Sequence, residues 1–103
     1  ESLAFYRTLI ALRRESPALA EGALRVLTFD RDWFLFARVL GEEWVIVSAN
    51  RSDRPQPAAR LEVPGLNLSY EREFGALFGS GNIRAGEGWL ELPDLARGGE
   101  VWR

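Results

Sequence analysis

Residues Trp33 to Asn50 read WFLFARVL, then GEE, then WVIVSAN, and this pair of apolar arms decides the fold. Aromatic and β-branched residues fill both arms, and these types fit a pleated, half-buried surface. The polar link Gly41-Glu42-Glu43 contains a glycine, so the arms are expected to form an antiparallel hairpin. Alternation puts Trp33, Leu35, Ala37 and Val39 on one face and Phe34, Phe36, Arg38 and Leu40 on the other. Neither face is polar enough to lie against water, so both should be covered by the rest of the chain. Phe36 and Ile46, each mid-arm, should be well buried. The hairpin supplies no reaction chemistry.

On the N-terminal side, Ser2 to Arg14 predicts a helix. Ser2 can cap it, and Leu3, Phe5, Tyr6, Leu9, Ile10 and Leu12 recur at helical spacing. Pro17 disfavours helix at Ser16 and opens a turn, Pro17-Ala18-Leu19. The six apolar side chains span about half of the helix circumference, wider than one sheet requires. Such a helix either buries against a second surface or sits deep in this domain's own core, and the pattern allows both. Ala23 to Phe29 predicts a strand with Leu24, Val26 and Phe29 inward, and Asp30-Arg31-Asp32 turns into the hairpin.

Beyond the hairpin, Asn50 to Ala58 is polar with two prolines and predicts a loop. A short strand over Arg60 to Val63 should end at a Pro64-Gly65 turn, followed by a half-exposed strand over Ser69 to Phe74. Gly79-Ser80-Gly81-Asn82 and Gly86-Glu87-Gly88 bracket a loose region. Trp89 to Leu92 and Glu100 to Arg103 should close the fold as a strand pair around Pro93-Asp94-Leu95. Short strands with frequent turn signals point to a mainly β fold, an antiparallel β sandwich of the Greek-key type preceded by one α-helix.

A length of 103 residues suits a single core without staples. The net charge of −2, with no basic cluster, argues against nucleic acid and anionic membranes as partners. No apolar run approaches the length of a membrane span, and no signal peptide is visible, which tilts the compartment toward the cytoplasm. The absence of Cys rules out disulfides and thiolate metal sites. The absence of His removes the commonest neutral-pH acid–base and the commonest metal ligand, so no cofactor or metal is expected. No Met is present, even at position 1, which suggests a chain cut from a longer one or processed. All 13 basic residues are Arg, as a GC-rich coding sequence would favour.

Candidate chemistry is thin. The 15 acidic residues offer many carboxylate pairs for glycosidase work, but most lie at turns or beside Arg rather than in a desolvated cleft. Asp30 and Asp32 have the one-apart spacing of a calcium loop without its glycine or distal glutamate, and fit a turn better. Gly79 to Asn82 lacks the strand-to-helix context of a phosphate cradle. No Ser or Thr nucleophile has a His partner. An exposed indole can stack on a sugar ring, which makes Trp33, Trp44 and Trp89 the candidate carbohydrate platform, with buried packing the base expectation for each.

The order of these features resembles the C-terminal end of α-amylase-family glycoside hydrolases. Phe5 to Leu19, FYRTLIALRRESPAL, looks like that family's last barrel helix and the turn leaving it. Phe34 to Arg38 and Trp44 to Asp53, the latter ending SANRSD, look like the hairpin and following loop of its C-terminal β domain. GWLELP, Gly88 to Pro93, is similar to the final strand. The closest flavour is that of neopullulanases, cyclomaltodextrinases and α-glucosidases. The resemblance implies two parts, residues 1–19 as the end of an upstream (β/α)8 barrel and residues 20–103 as the C-terminal sandwich. It implies a parent that is a retaining α-glycosidase or transglycosylase, whose catalytic carboxylates lie upstream, so no catalytic residue carries over to this chain. The expected partners are the barrel of the same parent chain, through Leu3, Phe5, Tyr6, Leu9, Ile10 and Leu12, and α-glucan. Weak self-association of the isolated piece is also expected. Rival readings are a stand-alone carbohydrate-binding module, which would expose two coplanar indoles, and an all-β interaction domain.

Overall fold

The computed structural model describes residues 2–29, 33–50, 58–78, 81–93 and 98–103; the side chains of Ser2, Phe5, Tyr6, Thr28, Phe29, Ala59, Gly65, Ser69 and Gly98 lie outside the description. Helix α1 spans Ser2–Glu15, one residue longer than expected, with Arg13 and Arg14 in its last turn, where cations favour the helix dipole. It stops because Ser16 precedes a proline and is extended, at φ −113° and ψ 110°. The expected Pro17-Ala18-Leu19 turn is instead a second helix, α2, Pro17–Glu21. Ser16 is its cap and Pro17 sits in its first turn, where the missing N–H costs nothing.

Among the described residues seven strands follow: β1 Ala23–Phe29, β2 Trp33–Leu40, β3 Glu43–Asn50, β4 Ala59–Phe74, β5 Ala76–Phe78, β6 Ile83–Leu92 and β7 Gly98–Trp102. One sheet has the order β1-β2-β3-β7-β5, and β4 with β6 form the second. Every pairing is antiparallel. The long return expected of a sandwich is made by β7, which comes back beside β3 after the chain has built the second sheet. The fold is therefore mainly β, an antiparallel sandwich preceded by helix.

The β2–β3 hairpin forms in unbroken register from Leu40↔Glu43 to Trp33↔Asn50. Its link is two residues, not three, because Glu43 joins the strand. Gly41 has φ 61° at the first turn position, where a two-residue hairpin demands glycine. The inner face is covered as expected, but on the outer face burial is confined to β3, while Phe34, Phe36 and Arg38 of β2 are half-buried and Leu40 is exposed. Leu35, Ala37, Trp44 and Ile46 face the second sheet, meeting Leu66, Phe74 and Leu90. Val45 and Val47 face outward and are buried with Val101, Ala18 and Leu19 beneath the helices. Ile46 is fully buried, whereas Phe36 lies at the margin of the outer cluster and is only half-buried.

Several expectations are corrected. Leu24 and Val26 face outward and are exposed, and Leu27 points into the core instead. They pair with Arg38 and Phe36, so they share the outer face of the sheet, and a register shift after Val26 brings Leu27 inward. Pro64-Gly65 makes no turn. Both lie within β4, whose 16 residues run beside the 10 of β6 and lose the excess in two register shifts. A proline without an N–H is accommodated there, where the ladder is already interrupted. Gly86 and Gly88 belong to β6 rather than to a loose region. Trp89 to Leu92 and Glu100 to Trp102 lie in different sheets, because Val101 and Trp102 are buried on opposite faces, the pattern of a central strand. The Asp30-Arg31-Asp32 turn, the 51–57 loop and Gly79-Ser80 lie outside the described residues.

Candidate functional site

Two surfaces carry the residues singled out from the sequence. On α1, Leu9 and Leu12 are half-buried against the outer cluster, while Leu3 and Ile10 are exposed. Phe5 and Tyr6 lie outside the described side chains. Helix geometry gives the reason. Leu12 and Leu9 are separated by roughly 60° on the wheel, and Ile10 and Leu3 lie a further 100–120° round from Leu9. A helix lying against a sheet buries the first pair and leaves the second bare.

The structure adds a clamp at the helix end that sequence reasoning missed. Ser16 Oγ accepts from the Leu19 N–H at 3.3 Å and donates to Glu43 Oε2 at 3.2 Å. Glu43 Oε1 accepts from the Ala18 N–H at 3.0 Å, and Arg103 lies 3.7 Å from the same carboxylate. The base of the hairpin turn is thereby tied to the start of α2. The Ser16-Pro17 pair was the legible signal for a helix start; nothing local pointed to Glu43.

The indoles are held by packing. Trp102 is fully buried and donates its Nε1–H to the Gly81 carbonyl at 3.0 Å. Trp44 is buried in the inter-sheet core, with the Arg25 guanidinium 5.6 Å from its ring. Trp33 is half-buried and donates to Ser48 Oγ at 2.9 Å. Trp89, also half-buried, lies against the Gly86 backbone, and the Arg60 guanidinium stands 4.3 Å from its ring. Of the three candidate platform residues, Trp44 is buried and Trp33 and Trp89 are each half-buried.

Polar groups available for chemistry are few. Among the described residues no three of Asp, Glu, His or Cys gather as metal ligands. Asn82, from the glycine-rich turn, accepts from the Ala76 N–H and contacts Glu73, a strand-linking role. On the exposed edge of the second sheet, Arg84 pairs with Glu71 at 2.6 Å, which raises the arginine's pKa from an already high value. A cleft of about 180 Å3 opens between α1 and the sheet, lined by Leu9, Arg13, Leu19, Phe36, Arg38 and Val47. Its two arginines were not anticipated from the sequence.

No protein-family model matches this chain, and no curated protein is similar to it in sequence. Solved structures do match its fold. Anoxybacillus α-amylase aligns over 96% of this chain and 21% of its own, at TM-score 0.75 and 22% identity. The α-amylase of Geobacillus thermoleovorans, solved with acarbose, aligns over 88% of this chain and 20% of its own, at TM-score 0.69 and 21% identity. Trehalulose synthase MutB aligns over 96% of this chain and 17% of its own, at TM-score 0.54 and 24% identity. The chain thus spans about a fifth of these enzymes, and it has the fold of that portion of them. The resemblance drawn from the sequence is met at the level of fold.

Proposed function

We propose that this chain is the non-catalytic C-terminal domain of an α-amylase-family glycoside hydrolase, with residues 1–19 the last barrel helix and its exit, and residues 20–103 the sandwich. The observation that carries the reading is the extent of the match. It takes in nearly the whole chain, so α1 and the two sheets correspond together to one part of Anoxybacillus α-amylase. The exposed Leu3 and Ile10 support it further, because a self-contained module has no reason to leave them bare. The role is to pack on the catalytic barrel of the same polypeptide, which would carry the carboxylates of a retaining α-glucan hydrolase or transglycosylase.

Assistance in polysaccharide binding requires an indole that a sugar can reach. Trp44 is buried and Trp89 is covered by Arg60, so a glucan stacking on Trp89 would first have to displace that guanidinium. The test expresses this chain and the remainder of its encoded polypeptide as separate pieces. Co-elution with recovery of α-glucan hydrolysis supports the proposal. A remainder with no barrel, or one that never binds this chain, rejects it. Maltodextrin should leave the tryptophan fluorescence of this chain unchanged; saturable quenching would favour the carbohydrate-binding reading.

A further inference from the structure

We propose that the cleft enclosed by α1, α2 and the five-stranded sheet is a binding site for a small free carboxylate with a compact apolar body, a single ring or a branched alkyl group. The site goes beyond the preceding reading and does not depend on it, because every residue that forms it belongs to this chain.

Three walls make the cleft. Leu9 and Arg13 come from α1, Leu19 from α2, Phe36 and Arg38 from β2, and Val47 from β3. Phe36 and Val47 are register partners, so they stand side by side on the outer face of the sheet. Exposure grades from bottom to mouth. Val47 and Leu19 are 1% and 4% exposed and form an apolar bottom. Leu9, Phe36 and Arg38 are half-buried, and Arg13 is exposed at the mouth. The volume is about 180 Å3. Apolar cavities of about 150 Å3 take one benzene. The guest is therefore one ring, or a branched chain of similar size, with a small head group, and falls well short of a drug-sized ligand.

Charge selects the head group. Arg13 and Arg38 line the cleft, and no carboxylate lines it with them. The Arg38 Nε–H donates to the Gly22 carbonyl at 3.0 Å, which anchors one edge of the guanidinium. Among the described residues its terminal nitrogens have no hydrogen-bond partner, and Arg13 has no ion pair. Glu43, on the same hairpin as Arg38, is engaged by Ser16, Ala18 and Arg103. A planar carboxylate accepts two parallel N–H bonds from one guanidinium, and such charge-assisted bonds are about twice as strong as neutral ones. The apolar body then fills the space over Leu19 and Val47. A neutral isostere loses the charge-assisted bonds, and a bare anion loses the apolar contact. Binding needs both halves of the guest.

The test titrates the isotope-labelled 103-residue chain with phenylacetate, phenylacetamide and acetate at one ionic strength. Phenylacetate should bind saturably and shift the amides of Leu19, Phe36, Arg38 and Val47, with phenylacetamide and acetate each about tenfold weaker or worse. Arg13→Gln and Arg38→Gln should each weaken phenylacetate by about fivefold or more and leave phenylacetamide unchanged. Arg13 is exposed, so Arg13→Gln decides the point if Arg38→Gln, which loses the Gly22 bond, unfolds. Leu9→Trp, on the half-buried wall, should fill the cleft and abolish phenylacetate binding with the melting transition retained. Absence of a saturable shift, shifts confined to residues away from the cleft, equal binding of phenylacetate and either control, or arginine variants that bind like the parent chain overturns the site. No barrel enters this titration, so its failure leaves the proposed function standing, and failure of the co-elution test leaves the site standing.

Discussion

Gly86 lacks a side chain because the Trp89 indole occupies the place where one would project. A Cβ built there would stand 2.6–2.8 Å from three indole atoms, inside contact distance. Gly86→Ala must displace the ring and should destabilise the domain by about 1–3 kcal/mol, the range for overpacking. A changed tryptophan emission accompanying a lower denaturant midpoint checks it; no change in either would mean that the indole is free to move. The hairpin gives a second contrast. Leu35 and Ile46 are fully buried while Phe36 is not. Leu35→Ala should cost about 2–5 kcal/mol and Ile46→Val about 0.5–1.5, whereas Phe36→Ala should fall below the roughly 3 kcal/mol at which fully buried Phe truncations begin. Denaturant midpoints measured side by side test that order, and Phe36→Ala emerging as the most damaging would reverse it.

At the scale of elements, α2 has only five residues and little intrinsic stability. It persists because Ser16 caps it, Glu43 receives its free N–H, and Ala18 and Leu19 are buried. Ser16→Ala should cost about 0.5–2 kcal/mol. Because Ser16 Oγ also donates to Glu43, Ser16→Ala and Glu43→Gln should be non-additive by about 0.5 kcal/mol or more. A thermodynamic cycle giving strictly additive losses would show that hairpin and helix are not coupled through this contact. The consequence is positional: the clamp ties the exit of α1 to the hairpin turn through Glu43.

For the whole molecule, the sandwich is closed on its inner side and incompletely covered on its outer side. The inner core uses both sheets, while the outer face is roofed by two short helices that leave Leu24 and Val26 open. An apolar face of this kind promotes association, but Arg7, Arg13 and Arg14 along α1 oppose pairing of like copies. The isolated chain should therefore be monomeric at low salt and associate weakly as salt screens the arginines. Sedimentation over protein and salt concentration checks this, and a tight dimer at low salt, weakened by adding salt, would contradict it.

What the sequence determined by itself was the main local elements. The aromatic and β-branched arms around Gly41 formed their hairpin in full register, α1 stopped at Ser16 before Pro17, and β1 began and ended where expected. Burial of the inner hairpin face was legible too, whereas the outer face of β2, equally apolar, is only partly covered. Pro64-Gly65 and Gly86-Glu87-Gly88 misled because the same residues that break an isolated strand are tolerated where a ladder is bulged or an indole needs room. Tertiary structure alone decided which strand lies beside which, because antiparallel neighbours such as β3 and β7 are about 50 residues apart and share no local signal. It also decided which apolar residues stay outside. Leu24 and Val26 look like core on their own strand, and are exposed because α1 lies over β3 and β7 and leaves no helix above β1.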